Sequence, residues 1–276
     1  MTGGARAGSW ALTRAVALAG VAGLGACEGR QRAAESESIL AFLPSQPTPA
    51  QAAAWFFDPY DPDKRFRGTV LLANAPFGGE PAYLNGYVDH LDDADSSVRA
   101  AAAFALGMHG GPEHAPLIAP LLADPDRLVR LNAARALQRL HNPEAIPALV
   151  ERLDPVKEPE GDIRAEAAGA LGQYAQTRVV YALIGALADE RFAVTRRASD
   201  SLGTLTGQSF GDDRHAWSRW MATTRDPFAR RTAYIYPVYS RKKTLLEHVP
   251  LWPDPPNEQA STPAGMTPVP GPAGRS

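Results

Sequence analysis

The stretch DADSSVRAAAAFAL, residues 93–106, returns three more times, as DPDRLVRLNAARAL at 124–137, EPEGDIRAEAAGAL at 158–171 and DERFAVTRRASDSL at 189–202. Its anchors, Val98, Val129, Ile163 and Val194, stand 31, 34 and 31 residues apart, a period that means stacked supersecondary units. Eight residues after each anchor lies a leucine (Leu106, Leu137, Leu171, Leu202), about two helical turns on and therefore on the same, buried face. Five residues before each lies an acid (Asp93, Asp124, Glu158, Asp189), and just after it comes Arg99, Arg130, Arg164 or, as a departure, Thr195 with Arg196 next.

A preceding helix fits each copy. Leu91, Leu122 and Leu187 lie seven residues before their anchors and Leu153 ten before, the three extra residues falling within residues 154–161. Each repeat therefore reads as a first helix, a short acidic turn and a second helix. Runs such as Ala100–Ala103 and Ala133-Ala134 keep that second helix thin enough to pack closely.

The turn Asp-x-x-Val-Arg followed by an Ala-rich helix resembles HEAT repeats, specifically the short kind named after phycobilisome lyases, over about residues 81–206. The resemblance implies an all-α chain, a short right-handed α-solenoid of about four helical pairs with irregular N- and C-terminal flanks. It says little of activity, since that family holds lyase subunits, a hydroxylase and binding scaffolds.

Composition agrees. The 276 residues are 45% apolar, led by Ala and Leu rather than by aromatics, which suits close-packed helices. With 28 Lys and Arg against 30 Asp and Glu, the chain as a whole lacks the basic excess of a nucleic-acid binder. One cysteine forms no internal disulfide, so its position carries the interest.

That position is Cys27. Residues 1–14 carry Arg6 and Arg14 and no acid, residues 15–26 are uncharged and mostly apolar, and the run ends Leu24-Gly25-Ala26-Cys27. Twelve helical residues rise about 18 Å against roughly 30 Å of hydrocarbon, too short to span. The ending resembles a bacterial lipobox, whose cysteine thiol receives a diacylglyceryl group. We therefore expect a lipoprotein signal peptide over 1–26 and lipidation at Cys27, with the chain anchored in the cell envelope. Glu28 in place of an aspartate favours the outer membrane, facing the periplasm.

The remaining divisions come from composition. Residues 27–50, with Pro44, Pro47 and Pro49, read as a tether, and 51–80, where aromatics alternate with turn formers, as an irregular lead-in. Residues 207–249 hold Trp217 and Trp220, a cap for the last open face, then a basic, aromatic strap. Residues 250–276, with eight prolines and few large apolar groups, read as disordered.

Several constellations bear on function. Arg99, Arg130 and Arg164 read as a structural ladder to the turn aspartates Asp95 and Asp126, or as a lining for an anionic partner. Arg135, Gln138 and Arg139 lie off the anchor face of the second repeat, on a solvated face or a binding one. His109, His114 and His141 read as surface polar residues, and the glycines at 107, 110 and 111 as a helix C-cap. The hydroxylase relatives use repeated His-Glu pairs as iron ligands, whereas the pairs here run Glu113-His114 and Glu247-His248, so no metal or other cofactor is expected. No Gly-x-Ser-x-Gly elbow or phosphate loop occurs. Residues 219–248 hold seven basic against two acidic side chains, with Tyr234, Tyr236 and Tyr239 interleaved. There Arg241, Lys242 and Lys243 are candidates for an anionic polymer or lipid, or the segment packs on the array as an extended strap. The reading is a non-catalytic scaffold for another envelope protein, with a lyase-like accessory subunit and the anionic-surface binder as alternatives.

Overall fold

A computed structural model describes residues 47–238, 258 and 260–267. The chain divides into two compact units, Met1–Thr48 and Pro49–Ser276, and the described helices belong to the second. Cys27, Arg241, Lys242 and Lys243 lie outside the described residues.

The described part is an α-solenoid. Its helices are α1 (Pro49–Phe56), α2 (Pro62–Ala73), α3 (Pro81–His90), α4 (Ser96–His109), α5 (Ala115–Ile118), α6 (Arg127–Leu137), α7 (Ile146–Glu151), α8 (Gly161–Leu171), α9 (Thr177–Ala186), α10 (Phe192–Thr206) and α11 (Arg214–Thr223). The second helices α2, α4, α6, α8 and α10 stack in that order as one layer, and α1, α3, α7 and α9 lie against their own partners as the other. In the third pair the outer helix is broken. Pro116 and Pro120 remove backbone donors there, so short 3₁₀ turns at Pro112–His114 and Ala119–Ala123 flank the single turn of α5.

The anchors and leucines of the repeat are the core: Val98, Val129, Ile163 and Val194, with Leu106, Leu137, Leu171 and Leu202, are fully buried. Alanines on α4, α6 and α8 are buried with them, and Gly107 brings two neighbours closer still. A Cβ there would sit 2.9 Å from Ala136 Cα, so Gly107 serves the α4–α6 contact rather than a helix end. Of the three glycines read as a C-cap, only Gly110 takes that place.

The lead-in over 51–80 is not irregular. It is a fifth pair, α1 and α2, with Phe56 fully buried between Phe57, Tyr83 and Tyr87 in edge-to-face contacts. At the other end α11 packs on α9 and buries Trp217, whose ring meets Phe210 edge-on at 4.9 Å and whose Nε1 donates to Gly211 O at 3.0 Å. No described helix is long and apolar enough to cross a membrane.

Part of the stretch read as disordered is bonded to the array. Ala264 N donates to Arg139 O and His141 N to Ala264 O, both at 2.8 Å, in a parallel bridge between Leu140 and Ala264. Composition misjudged it because the stabilising partners are backbone groups left over at the end of α6, not side chains of the tail itself.

Candidate functional site

The arginine after each anchor is the first element of the site's scaffold. Arg99 reaches forward to Asp124 of the next turn, with Nε to Oδ2 at 2.8 Å and Nη2 to Oδ1 at 3.0 Å, while Nη1 donates to Asp93 O at 2.8 Å. Arg130 does the same with Glu158, and Arg164 with Asp189. Arg65 of α2 extends the series backward to Asp93, a rung that the repeat pattern does not announce. The ladder thus joins successive repeats, which corrects the pairing with Asp95 and Asp126. Those two cap their own helices, Asp95 accepting from Ser97 N and Val98 N, and Asp126 from Leu128 N and Val129 N. Burial raises the proton affinity of Asp93 and Asp189, but the guanidinium of the preceding repeat and the Asx-turn amide outweigh it and hold both below the ordinary carboxylate range.

A second set of stitches runs at the other end of the second helices. His109 contacts Ala73 O through Nε2 at 2.7 Å, Gln173 donates to Leu137 O at 2.8 Å, and Ser201 to Ala168 O at 2.8 Å. His141 stacks on Tyr174 and meets Gln173 Oε1 through Nδ1 at 3.1 Å, and His114 receives Gly111 N at 3.0 Å. These histidines are half-buried parts of the packing rather than surface polar residues. Among the described residues no cluster of His, Cys, Asp and Glu has the make-up to hold a metal ion.

Held by these ladders, the second-helix layer carries a cavity of about 630 Å³ that crosses α4, α6, α8 and α10. It brings together Arg135, Gln138 and Arg139. Gln138 is buried, not solvated, and its Nε2 donates to Glu166 Oε2 at 2.7 Å and Glu166 O at 3.1 Å. Arg135 Nε binds the other oxygen of Glu166 at 3.1 Å. Arg139 holds Glu258 in a two-point ion pair, its Nη2 to Oε2 at 2.7 Å, and lies 4.7 Å over the ring of Tyr236. Arg197 completes the lining, and no hydrogen bond or ion pair engages its head among the described residues.

Arg197 and Glu166 went unread in the sequence, although a signal existed. Three residues after each anchor stand Ala101, Asn132, Glu166 and Arg197, one column that runs from neutral to charged along the layer. A smaller, mostly apolar hollow of about 340 Å³ adjoins the cavity at Phe104 and Asn132 and is lined by Phe66, Val70, Ala100, Ala101 and Leu128. Of the aromatic strap, Tyr234 is buried and Tyr236 is covered by Arg139, so both are spent on packing.

Residues 84–158 match the family model described as HEAT repeats. That stretch carries HEAT repeats. The matched residues run from α3 to the acid that receives Arg130, and the ladder continues the HEAT register beyond them on both sides, to Arg65 and to Asp189. No curated protein sequence matches the chain. Among solved structures it is similar to the designed armadillo repeat protein YIII(Dq)4CqI, at 17% identity and a TM-score of 0.48, covering 66% of this chain and 94% of that one. It is also similar to the complex of CpcE and CpcF of phycocyanin lyase from Nostoc sp. PCC7120, at 23% identity and a TM-score of 0.40 over 61% of this chain and 81% of that one. YIBA_ECOLI matches at 19% identity and a TM-score of 0.44 over 63% and 67%.

Proposed function

We propose that this HEAT-repeat chain is a non-catalytic scaffold that binds another protein of the cell envelope in the cavity on its second-helix layer. The carrying observation is that three arginines, Arg135, Arg139 and Arg197, converge on one cavity from the second helices and their ends. A surface assembled across repeats at fixed spacing suits an extended partner segment. Glu166 and Gln138 fix the middle of that surface by hydrogen bonds, so it is largely pre-organised before binding. The sequence at Cys27 supports placing the scaffold on the membrane through a lipid anchor, facing the periplasm.

Crosslinking in intact envelopes followed by pull-down tests the cavity, and fractionation tests the anchor. Arg135→Glu combined with Arg197→Glu should lower capture of the partner at least tenfold, worth about 1.4 kcal/mol. Capture unchanged by the double reversal excludes the cavity. Cys27→Ser should move the chain from the membrane fraction to the soluble fraction or leave it unprocessed, and full retention with normal processing would defeat the lipid-anchor reading. Arg241, Lys242 and Lys243 replaced together by Gln provide the contrast: a salt-sensitive loss of membrane binding in that variant favours the anionic-surface alternative.

A further inference from the structure

The charged half of the cavity already has an occupant. Glu258 is clamped by Arg139, and six residues on, Ala264 exchanges two backbone hydrogen bonds with Arg139 O and His141 N at the open end of α6. Gly265 comes next with φ +83°, and a Cβ there would lie 2.8 Å from Pro112, so the seat accepts glycine at that point. Ser261 O receives Tyr236 N at 3.2 Å. The seating uses one carboxylate, main-chain bonds and a glycine, and the apolar groups it covers are two small ones, Pro263, which is buried, and Ala264, which packs against the core.

We propose that Glu258 and residues 260–265 are a resident ligand of the cavity, and that the partner's own segment is an extended one bearing a carboxylate, which must displace it. The inference rests on the scaffold reading and names the chemistry of that partner. Charge supports it. With Glu258 in place the cavity sets Arg135, Arg139 and Arg197 against two carboxylates; with it gone, only Glu166 remains, and an acidic segment is what restores the balance. The energetics fit exchange rather than permanent packing. A segment with few buried side chains gains little per ordered residue, yet tethering in the same chain gives an effective concentration on the order of mM, enough to hold a weak contact closed. A partner segment with the same carboxylate and better apolar groups has the adjoining hollow at Phe66, Phe104 and Leu128 to fill.

The test uses the full-length chain with Glu258→Lys, which sets like charges against Arg139, and separately with Ala264→Pro, which removes the amide that bonds Arg139 O. The probe is a labelled synthetic peptide of residues 256–267. Hydrogen exchange at the His141 amide should rise several-fold in both variants and fall again when the peptide is added. The peptide should bind the Glu258→Lys chain at least tenfold more tightly than it binds the wild-type chain, whose own segment competes, and a peptide with Gln in place of its single glutamate should lose that advantage. Unchanged His141 exchange in both variants, or equal peptide binding to wild type and variants, overturns the proposal. The two readings fail separately. If the peptide rebinds in this way while Arg135→Glu with Arg197→Glu leaves envelope capture unaltered, the scaffold reading falls and the resident ligand stands. Capture that depends on those arginines, with His141 indifferent to the tail variants, leaves the scaffold and removes the ligand.

Discussion

Arg164 shows how one side chain joins three pieces of backbone. Its Nη1 donates to Glu158 O at 2.8 Å and Pro159 O at 2.9 Å, closing its own turn, while Nε and Nη2 grip Asp189 of the next repeat at 2.7 and 2.9 Å. The side chains of the pair are 5% and 4% exposed, so neither charge has water to fall back on. Removing one member of such a pair costs about 3–5 kcal/mol, because the other is left buried and uncompensated. Arg164→Gln should therefore lower the unfolding free energy measured in urea by that much, and the double variant Arg164→Leu with Asp189→Leu should recover at least half. An equal loss in both would mean that Arg164 acts through its bonds to the carbonyls alone. The recurrence of an arginine was legible in sequence, but its partner was not. Asp95 and Asp126 are near enough in the chain to attract the assignment, yet their carboxylates are taken by helix amides.

Among the elements, the second helices set the spacing of the array. Small residues face one another across α4, α6 and α8, and Gly107 meets Ala136 with no room for a side chain between them. Gly107→Leu should cost at least about 1–3 kcal/mol through overpacking, since the clash is with backbone and not with a side chain able to turn away. Hydrogen exchange should rise in α4 and α6 while α10 stays protected, as expected where contacts are between nearest neighbours. A rise spread evenly from α2 to α10 would show that the array opens as one unit. The pair α1–α2 explains why the first repeat escaped the pattern. Arg65 and Leu72 keep the arginine-to-leucine interval of seven found at Arg99–Leu106, Arg130–Leu137 and Arg164–Leu171, but the residue before Arg65 is Lys64, not a β-branched anchor. Gly68 and Thr69 are the buried residues that follow it, and Gly68 lies directly against the backbone of Phe56 in α1.

For the whole molecule, the ladder makes stability depend on pH in one direction. Asp93, on the first rung, and Asp189, on the last, have pKa values below the ordinary 3.8. A depressed folded-state value means the stabilisation is present above about pH 4 and is lost as pH falls through the lower, folded-state value. Melting temperature should accordingly decline below pH 4 without a matching change contributed by these groups between pH 5 and 7. In Arg164→Gln the acid-induced decline should be shallower, because Asp189 then has less to lose. A wild-type melting temperature that holds constant from pH 5 to pH 3 would contradict this account of the rungs.

Local sequence determined the repeat: an acid, an anchor, an arginine and a leucine at fixed intervals specify a turn and an amphipathic helix, and a helix with one apolar face has to stack on another of its kind. It also marked Arg135, Gln138 and Arg139 as unusual. Only the tertiary structure decided that these three meet Glu166 and Arg197 in one cavity, that α1 and α2 belong to the array, and that Glu258 lies on Arg139. The reason is range. Helical periodicity is written within a dozen residues, whereas a carboxylate 119 positions away finds its guanidinium only after the stacked helices have brought both stretches of chain to one surface.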